Sequence, residues 1–344
     1  MSDKIQTPIY VFSQKKIIEN YANMKKLLSP CDVYYALKAC SELAILPVLN
    51  NISSGFDVAS MEEYQCLRAL GVMPPRIICS LPIKTEAMIE ALYKDGCRYF
   101  VFDSVDEYIK LKKLAPEANR VLRLSVMHWG KDMIQFGIEK KKLFKHIDEG
   151  VIEPNHIDGV TFYCCDNLNI DRFIEIIDYA VEVIDQLPMR RKPFIFNIGG
   201  NFRETRIVGE NYYNKLSAKL EEITRTRSLK LLAEPGRGVI DSAGTLIVSV
   251  VALKEREGGF TDVYIDAGFP AGVVKEPSKV EVLDKVKDKK LPRKIYRCIG
   301  ITCNHRTLFY TPMKVHISVG DQLMYGRASR ELLSAKMMCC SNTS

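Results

Sequence analysis

The sequence predicts an α/β fold, a (β/α)8 TIM-like barrel followed by a C-terminal all-β domain. Two observations lead there. Eight apolar, β-rich segments alternate with amphipathic helical patterns up to residue 240, and beyond it strand-like segments follow one another between Gly, Pro and charged turns. Strand then helix, repeated eight times, has few other solutions than a closed parallel barrel.

Taken in order, "TPIYVF" at 7–12 reads as a strand. Ser13 can cap a helix that places Ile17, Ile18, Tyr21, Met24 and Leu28 on one face. Residues 1–28 form this N-terminal piece, its strand expected to join the β domain. The barrel, residues 29–240, carries the strands "VYYAL" (33–37), "GFDVA" (55–59), "RIICS" (76–80), "RYFVF" (98–102), "LRLSV" (122–126), "GVTFY" (159–163), "FIFNI" (194–198) and "LKLLA" (229–233). Between the third and fourth, Thr85 is a helix N-cap, Met88, Ile89, Leu92 and Tyr93 form the buried stripe, and Gly96 ends it. The β domain, residues 241–344, contains "GTLIVSVVALKE", "FTDVYIDAG", "RKIYRCIGITC" and "DQLMYGR".

Composition sets the class. A chain of 344 residues with 47% hydrophobic and 26% charged residues can bury a large core. The opening "MSDKIQTPIYVFSQKK" lacks a signal-peptide core, and no apolar run is long enough to span a membrane. Eleven cysteines without a C-x-x-C pair or zinc spacing point to reduced thiols in a cytoplasm and to no metal. Vicinal pairs stand at Cys164-Cys165 and Cys339-Cys340. The net charge of +7 is spread along the chain apart from "MRRK" and "KVKDKKLPRK", which argues against nucleic acid; an acidic carrier protein is an alternative use of the same charge.

Barrel chemistry gathers where the C-terminal ends of the strands converge. Lys38 follows the first barrel strand, Asp57 lies in the second, Tyr163 ends the sixth, Gly199, Gly200 and Asn201 follow the seventh, and Glu234, Gly236 and Arg237 follow the eighth. Singly, Lys38 is a solvated strand end, and "NIGGNF" and "AEPGRG" are turns. Together at one mouth they describe a pyridoxal phosphate site. A lysine at an apolar strand end is desolvated, which is expected to lower its pKa and leave neutral amine for a Schiff base. Glycines let backbone N–H groups approach a phosphate, and a buried carboxylate needs a cation such as a protonated ring nitrogen.

The segments "YYALKAC", "GFDVASMEEY", "RYFVFDSVDE", "QFG", "NIGGNF", "AEPGRG", "YIDAGF" and "GITCN" run in order from residue 33 to 304. In that order they resemble the fold-type III pyridoxal phosphate decarboxylases, the family of ornithine, arginine and diaminopimelate decarboxylases with alanine racemase as a distant relative. The resemblance implies that Lys38 carries the cofactor and that Glu234 pairs with its ring nitrogen. Gly199, Gly200, Asn201, Gly236 and Arg237 are implied at the phosphate, Asp57 beside the lysine, and Tyr163 stacked on the ring. Cys303 is implied as the proton donor, supplied across a head-to-tail homodimer, with Asp266, Asn304, His305 and Arg306 at the substrate.

The chain departs from that family at three places. "FYCCDN" puts Tyr163 where the family has a stacking histidine and Asp166 where it has a phosphate-binding serine. "GITCN" puts Asn304 where an acid reads a distal ammonium, with His305 and Arg306 following. Third, the tyrosine of the last strand region has only Tyr325 and Tyr310 as nearby counterparts. An anionic or acylated distal group suits such a pocket better than free ornithine or lysine. The expected function is therefore decarboxylation of an α-amino acid centre on a modified or carboxylate-bearing conjugate. The rivals are a catalytically silent homologue that binds a partner, a racemase, and a decarboxylase of a free diamino acid or of a carrier-bound amino acid.

Overall fold

The computed structural model describes residues 5–126, 135–164, 169–188, 193–268, 280–283, 285, 290–301, 307–326 and 337–341. Their contacts divide the chain into two compact units. One is Ile18–Ile240, and the other joins Met1–Ile17 to Asp241–Ser344.

In the first unit eight parallel strands close into a barrel in chain order. After β1 (Ile9–Ser13) and α1 (Gln14–Leu27), the barrel runs β2 (Asp32–Ala36), α2 (Leu46–Asn51), β3 (Gly55–Val58), α3 (Met61–Ala69), β4 (Ile77–Cys79), α4 (Glu86–Lys94), β5 (Tyr99–Phe102) and α5 (Val105–Leu114). It continues through β6 (Asn119–Leu124), α6 (Lys140–Asp148), β7 (Gly159–Phe162), α7 (Ile170–Gln186), β8 (Phe194–Gly200), α8 (Thr205–Val208), α9 (Glu210–Thr226), β9 (Leu229–Glu234) and α10 (Arg237–Ile240). All eight predicted strands are present; β6 starts earlier than the "LRLSV" segment suggested and ends before Ser125. Alternate strand residues face inward, and Ile78, Tyr99, Val101, Val121, Ile195 and Leu232 pack there as one apolar layer.

The helices start where side chains can satisfy their first N–H groups. Ser60, Thr85 and Ser104 each accept a hydrogen bond at 3.2 Å, from Glu63, Met88 and Glu107 respectively. In α4, Met88, Ile89 and Leu92 are buried as the periodicity required, and Gly96, at φ 108°, takes a conformation that other residues rarely adopt. Tyr93 stays half-buried, with the Arg98 guanidinium 4.2 Å from its ring centroid.

The other unit is a mostly antiparallel sheet, ordered β12 (Val280–Val282), β15 (Gln322–Gly326), β10 (Gly244–Glu255), β11 (Phe260–Ile265), β13 (Lys294–Gly300) and β14 (Thr307–Met313). β1 pairs with β10 and with β16 (Met337–Ser341). The long strand β10 changes partner at a bulge between Val250 and Ala252, pairing first with β15 and then with β11. The N-terminal strand thus lies in the β domain's sheet. Tyr325 is buried in the core of this unit, its hydroxyl 3.7 Å from Cys298 Sγ, whereas Tyr310 is half exposed and packs edge-on against Phe260.

Candidate active site

Strand parity builds the site. Two residues beyond Ile78, Val121, Ile195 and Leu232 of the apolar layer come Ser80, Arg123, Asn197 and Glu234, which therefore point to the same side at the strands' C-terminal ends. An apolar floor thus carries a polar layer. Lys38 sits in the single helical turn after β2, and Asp57 in β3.

Two acids meet there. Glu234 is only 6% exposed, and its Oε1 accepts the Ser80 hydroxyl at 2.5 Å and the Asn197 amide at 2.6 Å. That amide also donates to the Tyr99 hydroxyl at 2.8 Å, while Asn197 Oδ1 accepts the Gly199 N–H at 2.9 Å. Asp57, buried, has its Oδ2 3.6 Å from the Lys38 amine, and its Oδ1 accepts the Ser80 N–H at 3.3 Å. Burial, reinforced by the charge of Glu234, pushes the Asp57 carboxyl up to about 7.

Lys38 departs from the sequence expectation. The charge of Asp57, and after it that of Glu234, raises its amine above the ordinary lysine value, outweighing desolvation. Its side chain is 57% exposed, so water screens part of this pull, but the direction is opposite to the lowering expected at an apolar strand end. The deciding charge is that of Asp57, on the neighbouring strand β3 opposite Ala36.

The glycine-rich turns are fixed by close packing. A Cβ on Gly236 would lie 2.6 Å from the Ala39 Cβ, next to Lys38, and one on Gly200 would lie 2.5 Å from the Glu234 carbonyl oxygen. Gly199 and Asn201 have φ of 72° and 71°, a conformation that glycine adopts freely and asparagine tolerates. Arg237 donates to the Asn201 side-chain oxygen, joining the turns after β8 and β9. Tyr163 is 40% exposed, and the Arg123 guanidinium lies 5.9 Å from its ring centroid and 5.1 Å from that of Phe136. Burial lowers the proton affinity of Arg123, against the pull of Glu234 and Asp103.

Ser80, Arg123 and Asn197 were not singled out from the sequence. Counting in twos from the apolar residues of each strand, rather than looking only just past its end, would have found all three. Asp266 lies in the other unit, where its carboxylate accepts the Thr7 hydroxyl at 2.6 Å and the Ser249 N–H at 2.8 Å. Asp166, Cys303, Asn304, His305 and Arg306 fall outside the described residues. Among those described, no His, Cys, Asp and Glu side chains group to hold a metal, and no helix is long and apolar enough to cross a membrane.

Pyridoxal phosphate asks a site for an amine, an acid for its ring nitrogen, and closely approaching backbone for its phosphate. Lys38, the buried Glu234 with its two neutral donors, and the turns at 199–201 and 236–237 fit those needs. Residues 14–241 match the family described as pyridoxal-dependent decarboxylase, pyridoxal binding domain. The chain belongs to the pyridoxal-dependent decarboxylases. This decarboxylase-family chain is 28% identical to lysine/ornithine decarboxylase of Selenomonas ruminantium over 267 residues, which are 74% of this chain and 67% of that protein. It is 26% identical over 257 residues, 72% of its length, to antizyme inhibitor 2 of Xenopus laevis, of which the match spans only 56%. Its fold is similar to that of the arginine decarboxylase of Paramecium bursaria Chlorella virus, with a TM-score of 0.80, 19% identity and coverage of 94% of this chain and 91% of that one. The lysine/ornithine decarboxylase of Vibrio vulnificus, solved with cadaverine, gives 0.78 at 23% identity, covering 93% and 88%.

The raised carboxyl of Asp57 makes a stability prediction for this family member. Between about pH 4 and 7 the folded chain holds a proton on Asp57 that the unfolded chain has lost, so raising the pH destabilises the fold through this group. The penalty is absent below pH 4 and complete above pH 7. Asp57→Asn does not titrate, so its stability relative to the parent is expected to rise across that window by about 2–4 kcal/mol. Denaturant unfolding of both proteins at several pH values checks this, and a pH-independent difference would mean that Asp57 titrates as an ordinary carboxyl.

Proposed function

We propose that this protein decarboxylates an α-amino acid centre with pyridoxal phosphate, on a modified or carboxylate-bearing substrate. The observation that carries the reading is the Lys38 amine 3.6 Å from Asp57, with Glu234 held by Ser80 and Asn197 in the same mouth. The relatives named as lysine/ornithine decarboxylases support the reaction type.

When bound, pyridoxal phosphate supplies an electron sink for the pair released as carbon dioxide departs. Glu234, oriented by two neutral donors, would pair with the ring nitrogen and hold a proton on it. Lys38 would carry the cofactor, with Asp57 beside it able to accept or return the amine's proton near pH 7. Gly199, Gly200, Asn201, Gly236 and Arg237 would bind the phosphate and fix the ring's orientation, and Tyr163 would cover one face. Cys303, across a homodimer, would return the final proton, with Asn304, His305 and Arg306 meeting the distal group.

The substrate reading rests on those three residues, which favour an anionic or neutral distal group over an ammonium. Carbon dioxide release from a panel of amino acids with cationic, acylated and anionic distal ends tests it. The anionic and acylated members are expected to turn over at least about tenfold better, by kcat/KM, than ornithine or lysine, the gap of one charge-assisted hydrogen bond. Fastest turnover of free ornithine or lysine would overturn the substrate assignment while leaving the reaction type. The similarity to antizyme inhibitor 2 supports a second reading, a regulatory binding protein without turnover. Cofactor uptake with no release from any panel member would favour it.

A further inference from the structure

Ser80 hydrogen-bonds both acids of the mouth. Its hydroxyl donates to Glu234 Oε1 at 2.5 Å, and its backbone N–H donates to Asp57 Oδ1 at 3.3 Å. The two bonds are unequal. A short hydroxyl bond to a carboxylate is a strong, charge-assisted donor, whereas an N–H at 3.3 Å is near the limit of useful length. Glu234 receives the short bond together with the Asn197 amide, and Asp57 receives the long one with the Lys38 amine at 3.6 Å, the Ser80 hydroxyl pulling only weakly on the Asp57 carboxyl.

Two carboxylates sharing one buried space do not both ionise freely, so one proton is shared unequally between them. We propose that Ser80 is the positioning residue that places the negative charge on Glu234 and the shared proton on Asp57. This deepens the reading of the mouth as a pyridoxal phosphate site and rests on it, because that chemistry needs an anionic partner for the ring nitrogen. The backbone of Ser80 is also held in place. The next two residues, Leu81 and Pro82, present their carbonyl oxygens to the amine of Lys84, at 2.9 and 3.5 Å, so the segment after β4 is anchored from inside the protein.

Other charged and titratable groups bear on the pair. They are Lys38 after β2, Cys79 in β4, Tyr99 in β5 and Arg123 in β6, with Asp103 acting on Arg123. None of them donates a described hydrogen bond to Glu234; the hydroxyl of Ser80 and the amide of Asn197 do, and Ser80 also reaches Asp57.

The test is a carbon-13 titration of the side-chain carboxyls in the full chain without cofactor. The Asp57 and Glu234 signals are assigned by their loss in Asp57→Asn and Glu234→Gln. Ser80→Ala is expected to narrow the gap between the two midpoints by about one pH unit, the worth of one charge-assisted hydrogen bond. Ser80→Cys, close in volume with a weak donor, is expected to narrow it likewise, and it decides the matter if the alanine variant does not fold. Ser80→Thr keeps the hydroxyl and is expected to restore the parent midpoints. An unchanged gap in Ala and Cys, or a Thr variant that shifts as Ala does, would overturn the proposal. Absorption of the parent protein with added pyridoxal phosphate is read in parallel. A missing cofactor band would remove the proposed function, and the titration would still decide what Ser80 does.

Discussion

Lys38→Ala is expected to abolish covalent capture of pyridoxal phosphate. In the parent protein, borohydride should fix the cofactor to the peptide containing Lys38 and bleach its visible absorption. In the variant no peptide should carry it, and decarboxylation should fall by at least about a thousandfold, the scale of losing a nucleophilic group. Folding should be little changed, because more than half of the Lys38 side chain is exposed. The pH dependence has a definite sign. Asp57 and Glu234 raise the amine's proton affinity, so neutral amine is scarce near pH 7, and capture should quicken about tenfold per pH unit until the amine titrates. Asp57→Asn removes the larger of those two charges and should make capture at neutral pH faster. Mass spectrometry of borohydride-treated digests checks both expectations. Fixation on another lysine, or on none, would show that the amine at the mouth is not the one that carries the cofactor.

The strands were legible because each is a short apolar run, bounded by turn residues, that an eight-fold repeat leaves little freedom to misplace. Helix α4 was legible for a local reason: Thr85 caps it, and three apolar residues recur at helical spacing. The pKa of Lys38 was not. Its sequence neighbours are apolar and suggested desolvation, whereas the deciding charge belongs to Asp57 on the next strand, a neighbour only once β2 and β3 pair with Ala36 opposite Asp57. Ser80 hid for a related reason. A serine at a strand end has many unremarked uses, and its partners Glu234 and Asp57 lie far away in sequence. Arg123 was hidden inside "VLRLSV", where the charged residue reads as a solvated strand face unless its parity with the buried Val121 is followed into the barrel.

Lys84→Met is expected to cost the protein about 3–5 kcal/mol of stability, because it strips a buried carboxylate of its principal partner. The Lys84 side chain is fully buried, and its amine lies 2.7 Å from Glu107 Oε1 while donating to the carbonyl oxygens of Leu81 and Val101 at 2.9 and 2.6 Å. With the Pro82 carbonyl at 3.5 Å, its three N–H groups face four oxygens. Lys110, 2.5 Å from Glu107 Oε2, balances only the other side of that carboxylate and is itself a quarter exposed. Methionine fills the volume of the lysine stem but removes the ammonium from Glu107 Oε1, which keeps only the backbone N–H of residue 84 at 3.1 Å, and leaves the Leu81 and Val101 carbonyls without that donor. A thermal midpoint lower by roughly 10 °C follows for a unit of this size. Removing both charges, as Lys84→Met with Glu107→Leu, should recover much of the loss, since a buried ion pair replaced by apolar side chains of similar volume is often neutral. Recovery of stability without recovery of the Ser80-dependent carboxyl titration would separate two duties of the lysine. One is to neutralise Glu107, which any apolar pair can make unnecessary. The other is to hold the Leu81 and Pro82 carbonyls, and with them Ser80, against the two acids, which only a donor at that position can do.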